Sequence, residues 1–571
     1  MGSLYIGSSG LQTSQNALNT TAHNLSNVDT TGYTRQQVQQ SNRAYVTLST
    51  DPKSIANKQT GLGVTYSRVK QVRDYFLDKT YRKESGRSMF YEVSTEVMEE
   101  VESQLGELNG EAFQTTMTDF WTAIQELSKD PSSSVTQGML VQRAAEFVQR
   151  AGAVYSGLSS YQNNLNTQIK QNVDKINKYG NQLLTLNDQI RAIESGGIEH
   201  ANDLRDARNQ ILDELAELTN MTFSEDRYGS VSVQIEGVDF VKDGTCYEIA
   251  LKTDEATGFY TPFWPQDATY TVRADGTRDY NIDGAEVFDL SVEISSDLNT
   301  DIGGLKAMLL ARGDHRANYT DLAEGKYDSV SQSVVMNIQG EFDQMIHNVV
   351  TKVNDILAKA AGVQTGDLKL ADGTTRPNVR YCVSDPNGYM RMEDGSPIQL
   401  FTKVTTDGYE KVIGEDGVTE YWIMKDEDPD SPESLYTIGN LQVNPALTKE
   451  PSKLGFRLAD GSEETADALK AAFTEEAYTL NPNVQKKTTF VDYYTDLVSQ
   501  VSNSGYVFRS IYENQVTTVE ATQSAREQVI GVSTDEELSN MIKFQNAYNA
   551  SSRYINVISE MLEHILSTLG V

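Results

Sequence analysis

The residues with chemical potential are few. His23, His200, His315, His347 and His564 stand singly and far apart, so no two share the one-turn helical spacing of a zinc site. His347 beside Ile346 and His564 beside Ile565 read as packed or half-exposed helix residues. Asp426, Asp428 and Asp430 alternate like the start of a calcium loop, but Pro429 intrudes, Ser431 holds the position that needs Gly, and Thr437 the one that needs Glu. A solvated acidic turn is expected there. No P-loop, no H-E-x-x-H and no G-x-S-x-G occurs. Carboxylates number 81, so no chosen pair marks an acid–base site. Cys246 and Cys382 are too few for a disulfide scaffold or a four-thiolate metal site and are expected to be free, buried thiols. These residues predict no catalysis, no metal and no cofactor.

The elements that would have to position such residues are more informative. The chain has 571 residues, 38% apolar and 9% aromatic, enough for several cores and about four domains. Lys plus Arg total 48 against 81 acidic residues, a formal charge of −33, which repels nucleic acid and anionic lipid alike. The first basic residue is Arg35, so no positively charged segment of a cleaved Sec-type signal is expected. No apolar run approaches the 18 or so residues of a spanning helix.

Asp-Gly pairs and ten of the twelve prolines concentrate between about residues 243 and 482, which predicts β structure there. Val231, Val233 and Ile235 alternate, and Tyr270 to Tyr280 reads as a hairpin. Within this territory Ile338, Phe342, Met345, Val349, Val353 and Ile356 repeat at helical spacing, so two β modules, 223–300 and 361–483, are separated by helix. Ile176, Tyr179, Leu183, Leu186, Ile190 and Ile193 step as a coiled-coil seam, in a helix from about 134 to 195 that would be roughly 90 Å long. Another helix starts near Tyr75 and continues to Leu108. Helices of that length are expected side by side in a rod.

At the N-terminus Leu4, Leu11, Leu18 and Leu25 recur every seven residues in a segment with no formal charge before Asp29. At the C-terminus Ser533 and Glu536 form a capping-box pattern, and the helix they open carries Met541, Tyr548, Ile555, Leu562 and Leu569 on one heptad row and Phe544, Ile558 and Ile565 on another. The N-terminal stripe is too thin and Gly-rich for a lone helix, so the two ends are expected to pair as an assembly interface. Between them lies NLSNVDTTGYTRQ, a helix stop and fixed turn built on Asn24, Asn27, Gly32, Tyr33, Arg35 and Gln36.

That turn, flanked by terminal heptad helices, resembles the asparagine-rich turn of the bacterial flagellar axial proteins. VSTDEELSNMIKFQNAYNASSRYINVISEMLEHIL is similar to that group's terminal helix, and VDKINKYGNQLLTLNDQI with ANDLRDARNQILDEL resembles the long-helix region of the hook-associated protein 1 (FlgK) family. The resemblance implies an α+β multidomain fold. Residues 1–50 with 531–571 would form an inner coiled-coil domain. Residues 51–222 with 301–360 and 484–530 would form a discontinuous long-helix rod, and 223–300 and 361–483 two mostly-β outer modules. It implies a structural subunit of the flagellum, secreted by the type III route without a cleaved signal and polymerising as a layer between hook and filament. Implied partners are further copies of itself, hook protein, the second junction protein and an export chaperone at the C-terminal helix, with no nucleic acid and no membrane. Another axial protein, or a surface enzyme or adhesin acting through its β modules, is the alternative.

Overall fold

The computed structural model describes residues 2–30, 32–50, 57–106, 113–196, 199–456 and 462–570. Helix α1 (Gly2–Ser26) is followed by β1 (Gln36–Asn42), β2 (Val46–Thr50), β3 (Asn57–Thr60) and β4 (Val64–Gln71). β1 pairs antiparallel with β4 and β2 with β3, so the four strands make one two-stranded arm. A domain boundary at residue 50 would cut this arm; the pairing keeps 36–71 together, since neither strand of a hairpin is stable without the other.

Helices α2 (Tyr75–Leu105), α3 (Phe113–Lys129), α4 (Ser134–Glu194) and α5 (Asn202–Leu218) come next. α2 ends where Gly106 takes a left-handed cap; Leu108, expected to prolong it, lies outside the described residues. α4 has the expected length of 61 residues and threads two cores. Its first half, Leu140 to Leu165, packs with α2 and α3, and its second half, Ile169 to Leu183, with α5 and a β module. The seam differs from the heptad reading in register: Asn187 is buried, while Leu186 is only half-buried and Ile193 is exposed. Asn187 holds that place because its Nδ2 donates to Val231 O at 2.8 Å and its Oδ1 accepts from Val231 N at 3.0 Å, locking the helix to a strand edge.

That module opens with the four-stranded meander β5 (Met221–Glu225), β6 (Val231–Ile235), β7 (Val238–Lys242) and β8 (Thr245–Cys246). Val231, Val233 and Ile235 are buried as their alternation requires. The hairpin of β9 (Ala250–Thr253) with β10 (Tyr260–Phe263) follows. The expected hairpin forms between β11 (Thr269–Val272) and β12 (Arg278–Asn281). Helices α6 (Gly304–Arg312), α7 (Tyr327–Val330) and α8 (Val334–Ala360) then return to the rod. On α8, Ile338, Phe342, Met345, Val349 and Val353 are buried.

Residues 361–483 are β only in part. β14 (Thr375–Val383) pairs with β13 (Gln364–Lys369) and with β17 (Glu420–Met424), which also pairs with β16 (Tyr409–Ile413), and β15 (Phe401–Lys403) pairs with β18 (Leu441–Val443). The chain then turns helical in α9 (Pro445–Lys449) and α10 (Ser462–Thr474). This region is not wholly an outer module. Phe401, Leu447, Leu454, Phe456, Leu469 and Phe473 belong to the core of the long helices, and Phe120 of α3 packs against Phe147, Phe401 and Phe473 at centroid distances of 5.3, 6.1 and 5.6 Å. Helices α11 (Phe490–Ile530) and α12 (Thr534–Leu569) close the chain.

The candidate chemistry of the sequence resolves into packing. Cys246 and Cys382 are both free; Cys382 is buried and Cys246 half-buried. Asp426, Asp428 and Asp430 are exposed, and Asp428 turns the chain by accepting from Asp430 N. Among the described residues no three His, Cys, Asp or Glu side chains are grouped to hold a metal, and no helix is long and apolar enough to cross a membrane. His347 pairs with Glu427 at 2.8 Å and stacks on Tyr319. Beside it Asp343, fully buried, accepts from Ile438 N at 2.7 Å and Tyr319 N at 3.0 Å. Burial outweighs these bonds and pushes its carboxyl up to about 6. A carboxyl that titrates higher folded than unfolded favours folding as pH falls and costs stability above its folded value. Asp343→Asn should therefore remove on the order of 2 kcal/mol of the stability difference between about pH 4 and about pH 7.5. Urea midpoints at both pH values, shifting equally in wild type and variant, would contradict this.

Candidate assembly interface

α1 is built from Gly, Ser, Thr, Asn and Gln around a few apolar residues, with no acidic residue in its first turn. It is held as a helix by what it packs against. α12 starts under better control: Ser533 Oγ accepts from Glu536 N at 3.4 Å, and Asp535, Glu536 and Glu537 complement the helix dipole. The Glu536 carboxylate is engaged by Arg35 instead of closing the capping box.

The two helices pack antiparallel. A Cβ on Gly7 would lie 2.6 Å from Ile555 Cγ1, and one on Gly10 would lie 2.8 Å from Ser551 Oγ. The buried row of α1 is Gly7, Ser14, Ala17, Thr21 and Asn24, with Gly10 half-buried in the same row; these six step by 3, 4, 3, 4, 3. On α12, Met541, Phe544, Tyr548, Ser551, Ile555 and Ile558 are half-buried at the same spacing. Small residues on one helix thus face large ones on the other, which permits a close approach.

Leu4, Leu11, Leu18 and Leu25 are therefore not the centre of the intramolecular seam, as the heptad would suggest; they flank it, half-buried. Leu562, Ile565 and Leu569 are exposed by 40, 52 and 72%, because α12 runs on past the start of α1. Replacing Gly10 by Leu should force the helices apart, at about 1–3 kcal/mol. Amides of residues 7–24 should then exchange faster, with the rod core unchanged; undiminished protection there would contradict the seam.

The turn residues converge on one brace. Asn24, 1% exposed, donates from Nδ2 to Gln36 O at 2.8 Å, and its Oδ1 accepts from Gln36 N at 3.0 Å and Tyr33 Oη at 2.8 Å. Asn27 Nδ2 donates to His23 O, capping α1. Gly32 has φ +80°, a conformation that favours Gly. Arg35 N donates to Ile530 O at 2.8 Å, while its guanidinium pairs with Glu536 at 2.9 Å and with the buried Glu537 at 3.2 Å. End of α1, start of the arm and start of α12 are thereby fixed together.

Below the brace sits a charge network that patterning did not reveal. Arg73 Nη2 donates to Asp78 at 3.0 Å, Arg526 bridges Asp78 at 2.8 Å and Asp213 at 2.6 Å, and Arg82 meets Asp213 at 2.7 Å. Burial lowers the pKa of Arg82, opposed by the Asp213 carboxylate. Asp206 accepts from Thr34 N at 3.3 Å and Gln71 Nε2 at 2.7 Å, and burial raises its pKa. Arg208, 1% exposed, donates to Gly229 O. ANDLRDARNQILDEL is thus the bracket that ties the brace to the rod. A cavity of about 770 Å³, lined by Tyr33, Arg35, Tyr81, Glu217, Arg526 and Ser533 among others, separates the two layers.

Comparisons with known proteins find similarity along nearly the whole chain. Residues 98–369 match the family described as flagellar hook-associated protein FlgK helical domain. Residues 4–34 match the flagella basal body rod protein family, and 527–568 the C-terminal family of the basal body rod FlgEFG proteins. Flagellar hook-associated protein 1 of Bacillus subtilis (strain 168) is 23% identical over 98% of this chain and 97% of its own length. That of Escherichia coli (strain K12) is 24% identical over 98% of both. The solved flagellar hook junction protein FlgK from Burkholderia pseudomallei superposes with a TM-score of 0.48 at 12% identity, over 80% of this chain and 100% of that one. With residues 4–34 and 527–568 matching the two rod families and 98–369 the third, the chain is similar over nearly its whole length to flagellar hook-associated protein 1.

Proposed function

We infer that this chain is a structural subunit of the bacterial flagellum that polymerises through its paired terminal helices as a layer between hook and filament. The observation that carries this reading is the α1–α12 pair itself, which buries small residues internally and leaves large apolar ones outside. Tyr5, Ile542, Met561, Ile565, Leu566 and Leu569 are 52 to 72% exposed, more apolar surface than an isolated helical hairpin retains without a partner. Neighbouring copies cover it, with the Leu4, Leu11, Leu18 and Leu25 row on the contact side. Hook protein on one face and the second junction protein on the other complete the stack.

Before assembly an export chaperone covers the C-terminal helix in the cytoplasm. The subunit is exported and works outside the cell, and its role is structural rather than enzymatic. The domain scheme supporting this is an inner pair, a rod built on α2, α4, α8 and α11, and the 221–300 module packed on the far half of α4.

Electron microscopy of a strain lacking this chain tests the reading: hooks without attached filaments are expected, with filaments restored by the intact gene. Normal filaments in the deletion strain would refute it. For the chaperone, residues 531–571 should retain a flagellar chaperone from cytoplasm; retention of none would remove that part.

A further inference from the structure

A second pocket, of about 280 Å³, opens between α2, α8 and α11, walled by Met98, Ile338, Val501, Val507 and Phe508. Its polar lining includes Gln332 and Asn337, whose Oε1 and Oδ1 are buried acceptors with no hydrogen-bond donor. The Asn337 amide is held in this sense because its Nδ2 donates to Glu341 at 3.3 Å. Glu341, fully buried just behind, also accepts from Asn481 Nδ2 at 2.6 Å and Gln500 Nε2 at 3.0 Å. Among the described residues no cation is paired with it. Asn337 and Gln500 thus belong at once to the pocket wall and to the shell of an uncompensated buried carboxylate.

This combination selects a ligand. An anion meets the Glu341 carboxylate behind the wall, and a purely apolar group leaves two buried acceptors unmet, which costs free energy. A guanidinium brings five donors to two free oxygens. A primary ammonium on an unbranched aliphatic stem satisfies both requirements, with its stem against Met98, Ile338 and Val501 and its three donors at the amide oxygens. We propose that this pocket receives a lysine side chain from a neighbouring copy of the chain, locking adjacent rods within the layer. The proposal rests on the polymerising role inferred above. Charge complementarity names the occupant, and Tyr506, 71% exposed beside Val507, supplies an apolar rim for the neighbour.

Proton linkage follows from the same geometry. Burial pushes the Glu341 carboxyl up to about 7. The groups facing it are the amides of Asn337, Asn481 and Gln500 and the neutral hydroxyls of Tyr327 and Tyr493. An arriving ammonium favours the ionised carboxylate, so it binds better above about pH 7 than below.

The test has two arms. On the full-length monomer, n-butylammonium chloride should raise the melting temperature saturably, with about tenfold tighter apparent binding near pH 8 than near pH 5.5. n-Butanol and sodium chloride should not reproduce this, and Glu341→Gln should abolish the pH dependence. In layers isolated from cells carrying Gln332→Glu, carbodiimide should couple that position to a lysine of another copy. Equal effects of butylammonium, butanol and sodium chloride on the monomer overturn the pocket whatever the chain assembles into. Butylammonium binding with no inter-subunit cross-link at residue 332 overturns the neighbouring lysine as its occupant. Failure of the wild-type chain to form layers while the monomer arm succeeds strikes the polymerising role and not the ammonium site.

Discussion

Leu562→Asp should leave the isolated chain as stable as wild type and still abolish junction formation. The physical basis is the overhang of α12. Leu562 is 40% exposed, and Ile565 and Leu569 beyond it more so, so none is in the buried row of the pair. In the free chain a surface substitution of this kind changes stability by no more than about 0.5 kcal/mol. In a layer where neighbours bury that stripe, the same carboxylate is dehydrated without a partner, at several kcal/mol per subunit. Repeated in every copy around a closed layer, that cost exceeds what a single contact can absorb. The variant should be exported, melt like wild type and yield hooks that fail to carry filaments. Normal motility would remove the overhang from the interface. A large loss of melting temperature in the monomer would show instead that Leu562 packs within the chain.

How much of this was legible in the sequence depends on the distance over which each interaction acts. α4 was legible because its buried side is decided by local period. The hairpin from Tyr270 to Tyr280 was legible because Asp275-Gly276 sets its turn. The brace was legible as residue types: Asn27 and Gly32 are turn formers wherever they stand, although the pairing of Asn24 with Gln36 needed the fold.

The Leu row misled for a physical reason. A heptad of leucines marks an apolar stripe, but the closest approach of an antiparallel pair with Phe544 and Tyr548 on the partner needs Gly7, Gly10 and Ala17, which carry no hydropathy signal. Much of 361–483 was misplaced because Phe401 and Phe473 are buried by Phe120 and Phe147, more than 250 residues earlier in the chain. Short strands and Asp-Gly turns describe such a segment locally and say nothing of the core it joins.

The charge network is the extreme case of that distance, and it carries the second large effect. Arg82, Asp213 and Arg526 are drawn from α2, α5 and α11, and the Arg526–Asp213 bond joins residues 313 apart in sequence. Arg82 and Arg526 have side chains only 2 and 7% exposed. Asp213→Leu removes the carboxylate both cations share and leaves Arg82 with only Asn209 oxygens at 3.3 Å. Removing one partner of a buried charge cluster costs about 3–5 kcal/mol, far more than the bond contributes net, because the orphaned Arg82 charge stays dehydrated, while Arg526 keeps Asp78. Asp213→Asn retains the shape and one acceptor and should lose less. The damage should be local: α5 and the end of α11 open while the Phe120 core holds, since they share few buried residues. Hydrogen exchange resolved by segment should show protection falling in 202–218 and 515–530 and persisting in 340–357. Uniform loss across all segments would mean that the network holds the whole rod together. No loss in either segment would mean that Arg82 and Arg526 find other partners, and the bracket would have to be assigned to Asp206 and Arg208 alone.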